Sequence, residues 1–223
     1  MNKKIKYGLI GASGKLGKEV HNVFSENGHQ LVFAFDIDGE WKEGTPELLI
    51  DCSLPEVFTK SIDYLCKFEI PFIIATTGLS KEEIKTLKTL SLQYPIVQSY
   101  NYSIGVQVML RLIKQAKNYL NDWDIEITET HHRFKKDKPS GTAKMIQELF
   151  DPKKINTSSL RLGNVAGEHE IQFGSLGEVL KISHSALSRR TFAEGILKSA
   201  EFIIGKKRGF YTFEEILFNE KFN

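Results

Sequence analysis

A short apolar run, Ile5 to Ile10, feeds directly into Gly11-Ala12-Ser13-Gly14-Lys15-Leu16-Gly17, and no other stretch of the 223-residue chain restricts its fold as strongly. Leu16, Val20, Val23 and Phe24 then recur at helical spacing, and Asn27-Gly28 supplies a C-terminal stop. A strand, a glycine-rich turn and a helix in this order make a dinucleotide-binding unit, because glycine lets the backbone approach a pyrophosphate at the helix start. A glycine loop alone also makes an ordinary turn. Here the context favours a nucleotide. A second strand, Leu31 to Phe35, ends in Asp36, about 25 positions after Gly11, where a carboxylate is expected to accept the hydroxyls of the adenine ribose.

Strands at Leu48 to Cys52, Ile70 to Ala75 and Ile96 to Ser99 follow, separated by a helix at Val57 to Lys67 and another behind a Ser80/Glu83 capping box. Gly39 to Pro46 reads as a short polar connection. Alternating strands and helices predict a parallel, doubly wound sheet, with Thr76-Thr77-Gly78 at a C-terminal strand end where such sheets bind ligands. After Ser103 the pattern changes. Val106 to Leu120 is a long amphipathic helix, and Ile125 to Thr130, Leu160 to Leu162, Glu170 to Phe173 and Val179 to His184 read as strands with few helices between. That run predicts a mixed, largely antiparallel sheet in a second domain. The tail returns to helix: Thr191 and Glu194 are spaced as a capping box, Phe192, Ile196, Ala200 and Ile203 form an apolar stripe, and Thr212 with Glu215 caps a last helix. The expected fold is α/β, a Rossmann-like doubly wound parallel sheet over residues 1–103 completed by 189–223, with a second α+β domain over 104–188.

The second domain carries the densest chemistry. His131-His132-Arg133-Phe134-Lys135-Lys136-Asp137-Lys138 places six basic side chains among eight residues, and Pro139-Ser140-Gly141-Thr142-Ala143 then opens a helix with Ser140 as N-cap. First-turn amides lack partners within the helix and attract anions. A basic run is ordinarily a solvated surface, but the paired histidines can transfer protons near neutral pH, which charge neutralisation does not require. The loop therefore reads as an anion-binding catalytic element, expected to face the first domain. His21 and His29 read as surface or packing residues, and His169 and His184 as structural.

Composition narrows the class. A formal net charge of +2 argues against a dedicated nucleic-acid partner. No apolar run approaches the roughly 20 residues of a membrane span, and the N-terminus lacks the long apolar region of a signal peptide. Cys52 and Cys66 have no metal-ligand spacing. A cytoplasmic enzyme without a metal is expected.

The segment Glu129 to Ala143 resembles the signature of the dihydrodipicolinate reductase family, the nicotinamide-dependent reductases of the diaminopimelate route to lysine. Gly-Ala-x-Gly-x-x-Gly at Gly11 to Gly17, Ser99-Tyr100-Asn101-Tyr102-Ser103 and Arg-x-Thr-Phe-Ala-x-Gly at Arg189 to Gly195 resemble further family motifs in family order. The resemblance implies that Gly11, Ala12, Ser13, Gly14, Lys15 and Leu16 hold the pyrophosphate and Asp36 the ribose. Ala75, Thr76 and Thr77 with Ser99, Tyr100, Asn101 and Tyr102 would lie on the nicotinamide side, and Arg189 also belongs to the cofactor set. His132, Lys135, Gly141 and Thr142 would clamp the carboxylates of a cyclic dicarboxylate, with His131 and Lys135 serving proton transfer. NADH is the expected cofactor, NADPH being possible, and a homotetramer is implied. The chain departs from the family at Leu54, where arginine is common, at Ala75, often glycine, at Phe134, often histidine, and in its short 39–46 stretch. Two other readings are a two-domain dehydrogenase of amino-acid type and a non-catalytic dinucleotide sensor whose basic loop meets nucleic acid or a protein.

Overall fold

The computed structural model describes residues 4–218. In chain order its elements are β1 (Lys6–Ile10), α1 (Lys15–Glu26), β2 (Gln30–Asp36), β3 (Gly39–Lys42), β4 (Leu48–Asp51), α2 (Phe58–Phe68), β5 (Phe72–Ile74), α3 (Lys81–Leu90) and β6 (Pro95–Gln98). These are followed by α4 (Ile104–Lys117), β7 (Asp124–His131), α5 (Gly141–Gln147), β8 (Ile155–Arg161), β9 (Gly167–Gly174), β10 (Val179–Ala186), α6 (Arg190–Ile203), β11 (Gly209–Tyr211) and α7 (Phe213–Phe218). The chain divides into two compact units, one running to Tyr102 and resuming at Phe192, the other spanning Ser103–Thr191.

In the first unit seven strands lie in the order β11-β6-β5-β4-β1-β2-β3, all parallel except the β2–β3 pair. Successive side chains of a strand face opposite sides of a sheet, so each strand feeds two cores. Tyr7 and Leu9 of β1 pack with Val20, Val23 and Phe24 of α1 and with Ile196, Ala200 and Ile203 of α6. Ile10, Phe33, Leu49 and Phe72 pack on the other face with Phe58, Tyr64 and Leu65 of α2 and Leu87 of α3. The sheet is doubly wound, and α6 returns after the second unit to cover one face. Because β1 is flanked by β2 on one side and β4 on the other, the strand order reverses there, and the crevice beyond the ends of β1 and β4 is where such sheets take a ligand.

The second unit holds a four-stranded sheet in the order β10-β9-β7-β8, with β7–β8 parallel and the other two pairs antiparallel. Val106, Met109, Leu110 and Ile113 of α4 and Ala143 and Ile146 of α5 cover one face, meeting Ile125, Ile127, Ile171 and Phe173.

Most capping expectations hold. Ser80 and Glu83 form the reciprocal box (Glu83 N–H to Ser80 Oγ 3.2 Å, Ser80 N–H to Glu83 Oε2 2.6 Å), and Thr212 and Glu215 repeat it at 3.2 and 2.8 Å. Thr191 is different: α6 begins at Arg190, so Thr191 lies inside its first turn and is not the N-cap. Two strands were not legible. Gly39–Lys42 pairs antiparallel with β2 but is exposed along its whole length, and therefore carries no apolar alternation. Gly209–Tyr211 is three residues long and is a strand only through its pairing with β6. β8 begins at Ile155, five residues before the apolar stretch that marked it, because its face alternates through Thr157 and Ser159.

Candidate active site

The first unit builds a nucleotide cradle from its glycines. Gly11 has φ +79°, and a Cβ there would lie 2.9 Å from the Ser53 Cα, so the turn after β1 closes against the turn after β4 only without a side chain. A Cβ on Gly17 would lie 2.1 Å from Gly11 O, which presses the loop onto α1. Gly14 caps α1 without a side-chain hydrogen bond, leaving the helix start at Lys15 and Leu16 without a side-chain cap. Asp36, at the end of β2, accepts the Ser13 N–H at 2.5 Å and the Ile37 N–H at 2.8 Å. Burial works to raise its pKa, but these donors and the Lys18 charge outweigh it and hold the carboxyl below its ordinary range. The loop serine that departs from the usual dinucleotide pattern thus supplies an N–H to the acidic residue.

Ala75, Thr76 and Thr77 follow β5, and Ser99–Tyr102 follow β6. Thr76 is buried and donates its hydroxyl to Asp51 Oδ1 at 3.0 Å, while Thr77 is exposed. Asp51 is wholly buried and also accepts from Ser53 N–H (2.8 Å), Ser53 Oγ (2.5 Å) and Ser61 Oγ (2.8 Å), tying the ends of β4 and β5 together. Burial pushes its pKa up, with the hydroxyl donors opposing. Tyr102 is buried beneath the loop, its hydroxyl donating to Ile74 O at 2.9 Å, so its side chain shapes the turn from below and offers nothing to a ligand. Ser99 Oγ donates to Asn101 O at 2.9 Å and closes the same turn, and Tyr100 is half-buried beside it. A Cβ on Gly195 of α6 would sit 1.8 Å from Tyr102 O, so this helix supports the turn by direct backbone approach. Arg189 lies half-buried in the turn before α6, within the second unit.

In the second unit the basic run divides. His131 is buried at the end of β7, His132 and Lys135 are half-buried, and Arg133, Phe134, Lys136 and Lys138 are exposed. Lys135 Nζ lies 2.7 Å from Asp137 Oδ1. The peptide bond Lys138–Pro139 is cis, and Ser140 then caps α5, accepting the Ala143 N–H at 3.2 Å. Gly141 opens the helix directly after the basic loop, and Thr142 in its first turn is buried.

A buried polar network holds this loop from beneath. Alternation along β7 puts Ile125, Ile127, Glu129 and His131 on one face, so a carboxylate occupies a core position. Sheet register sets Glu129 beside His169 of β9, and His131 beside Arg161 of β8. Glu129 is bonded to His131 Nδ1, accepts Arg161 Nη1 and Nη2 at 3.0 Å each, and accepts the Ser140 N–H at 3.3 Å. Burial would raise its pKa, yet Arg161, Ser159 and His131 together lower it to about 2. His131 is lowered, first by burial, with its bond to Glu129 opposing and the charges of Lys135 and Arg161 adding to the fall. His169 is pushed down to about 3, chiefly by burial, and pairs with Ser140 Oγ at 3.1 Å. Ser140 Oγ accepts the Ala143 N–H and shares a second hydrogen bond with His169 Nε2, in which the tautomer of the neutral ring decides which side donates.

Glu129, Arg161 and His169 were not among the residues singled out as functional. The signal for Glu129 and His169 was present: each interrupts a period-two apolar face, Ile125-Ile127-Glu129 and His169-Ile171-Phe173. Arg161 had no such signal, because Thr157 and Ser159 precede it on its own face of β8 and leave no apolar alternation for it to interrupt.

Residues 105–217 match the family described as "Dihydrodipicolinate reductase, C-terminus", and residues 40–102 match "Dihydrodipicolinate reductase, N-terminus". A 4-hydroxy-tetrahydrodipicolinate reductase of Thermosipho africanus is 43% identical over 213 residues, covering 96% of this chain and 98% of that protein. Another, from Caldanaerobacter subterraneus, is 38% identical over 242 residues, covering 94% and 96%. Among solved structures, a dipicolinate-bound dihydrodipicolinate reductase from Paenisporosarcina sp. TG-14 superposes with a TM-score of 0.73 at 23% identity, covering 96% of this chain and all of that one.

Proposed function

The chain belongs to the dihydrodipicolinate reductase family, and we propose that it reduces 4-hydroxy-tetrahydrodipicolinate with NADH, using the residues of the glycine cradle for the cofactor and those of the basic loop for the dicarboxylate. The observation that carries the assignment of roles is the second unit's loop. It brings Lys135, two histidines and a serine-capped helix start together above a buried Glu129–Arg161 pair.

The cradle fits a dinucleotide. Gly11 and Gly17 leave no room for side chains, and the uncapped start of α1 at Lys15 and Leu16 suits a pyrophosphate. Asp36 is the last residue of β2 and its carboxyl is held ionised, which suits ribose hydroxyls and disfavours a 2′-phosphate. When bound, the nicotinamide supplies a hydride. His132, Lys135 and the Gly141 and Thr142 amides orient the two substrate carboxylates, Lys135 exchanging Asp137 for a substrate oxygen. The 4-hydroxyl leaves as water to give the conjugated ring of dihydrodipicolinate; hydride addition to that ring leaves negative charge on it, so a proton must follow to give tetrahydrodipicolinate. With its Nδ1–H directed at Glu129, His131 has Nε2 for proton transfer, and Lys135 is the second proton-transfer group. The enzyme acts in the cytoplasm as a homotetramer in this reading; among the described residues no helix is long and apolar enough to cross a membrane.

The test is a coupled assay with the dihydrodipicolinate-type substrate, following loss of NADH absorbance. Pyridine-2,6-dicarboxylate should inhibit competitively with that substrate and shield Lys135 from amine-directed labelling. Turnover with Lys135 labelled equally fast under saturating inhibitor would remove Lys135 from the carboxylate clamp.

A further inference from the structure

A buried arginine beside a dicarboxylate loop invites the reading that it grips substrate. Its hydrogen bonds say otherwise. A guanidinium has five N–H donors, and in Arg161 each has a protein acceptor. Nε donates to Lys135 O at 3.2 Å. Nη1 donates to Glu129 Oε2 at 3.0 Å and Leu160 O at 2.6 Å. Nη2 donates to Glu129 Oε1 at 3.0 Å and Asp137 O at 2.5 Å. The side chain is 8% exposed. No donor remains for a ligand, and two of the five hold main-chain carbonyls of the basic loop itself.

The second partner is filled as completely. A carboxylate offers about four lone-pair sites, and Glu129 meets Arg161 twice, the Ser140 N–H and His131 Nδ1. An ionised carboxylate only accepts, so His131 carries its hydrogen on Nδ1. The pair therefore fixes three things at once: the carbonyls on either side of Lys136, the N-cap residue of α5 and the ring orientation of His131.

We propose that Arg161 is a positioning residue: through its five bonds it sets the path of the Lys135–Asp137 loop and, through Glu129, the His131 tautomer and the start of α5, without touching substrate. This inference rests on the reductase reading for its effect on turnover, but its effect on loop geometry does not depend on that reading. Lysine cannot replace the arginine, because its donors diverge from one nitrogen and cannot span a carboxylate and two carbonyls.

Arg161→Lys tests it, since the charge opposite Glu129 is kept. The expected result is a fall in kcat of about ten-fold or more, an unchanged KM for NADH, and trypsin cleavage after Lys135 or Lys136 at least several-fold faster than in the wild type. Added guanidinium should restore part of the activity of Arg161→Ala. In the wild-type protein the Arg161 Nε–H resonance should exchange slowly and keep its position when pyridine-2,6-dicarboxylate is added, a measurement that needs no variant to fold. A raised KM for the dicarboxylate with unchanged kcat and unchanged cleavage, or an Nε–H resonance that moves strongly with the inhibitor, would make Arg161 a substrate clamp and overturn the proposal. Wild-type kinetics and cleavage in Arg161→Lys would overturn it as well. If the wild type neither turns over the substrate nor binds the inhibitor, the reductase reading fails, while the cleavage rates still decide whether Arg161 holds the loop.

Discussion

His169 is 4% exposed and is held neutral down to about pH 3, against 6.5 for a free histidine. An unfolded chain takes up that proton as the pH falls through 6.5, whereas the folded one does not until near 3. The stability associated with neutral His169 is therefore complete above pH 6.5 and is lost progressively as the pH falls toward 3. Between pH 7 and 4.5 the gap amounts to about two pH units of one proton, or about 3 kcal/mol at 1.36 kcal/mol per unit. Glu129 does not confuse this window. Its pKa is depressed from 4.5 to about 2, so its contribution is present above 4.5 and is lost only as the pH falls below that value. Burial also lowers the pKa values of His131, His184 and His29, which add to the wild-type slope, so the comparison must be with a variant. In His169→Asn, urea unfolding followed by Trp123 fluorescence in a Trp41→Phe background, at fixed protein concentration, should lose about 3 kcal/mol less between pH 7 and 4.5 than the same background with His169. At pH 7 the variant should be about 1 kcal/mol weaker, through the altered bond to Ser140. Equal losses in the two proteins would mean that His169 titrates normally, and its place as a buried neutral ring would be refuted.

Lys135→Ala should lower kcat by about 10²-fold or more, the scale of a lost acid or electrostatic stabiliser. His131→Gln should show a smaller fall in kcat and His132→Gln chiefly a raised KM for the dicarboxylate, all three with NADH affinity unchanged, as initial-rate kinetics and NADH fluorescence titration would show. Full kcat in Lys135→Ala would remove the basic loop from the chemistry. The ionised Asp36 carboxylate should give a higher kcat/KM with NADH than with NADPH, and Asp36→Asn should narrow the difference; equal or better efficiency with NADPH in the wild type would refute the role given to Asp36.

What the sequence determined by itself is local. Gly11 and Gly17 could be read from their place between a strand and a helix, and the contacts a Cβ would make explain why no other residue serves there. Ser80, Ser140 and Thr212 announced their helices because an N-cap depends only on the next three residues. The His131–Ala143 segment marked the second unit's chemistry for the same reason, all its parts being neighbours in the chain. Tertiary structure decided which parts of that segment turn inward. Arg133, Lys136 and Lys138 are as basic as Lys135, yet they face solvent while Lys135 is folded back on Asp137. It also decided the edge strands β3 and β11, which exist only because a neighbouring strand presents a free row of backbone groups. Above all it assembled Glu129, Arg161 and His169, residues from three strands that meet through the register of β7 with β8 and β9. A register is a relation between distant segments, set by which faces are buried, and a one-residue slip would turn each of these side chains to the opposite face of the sheet.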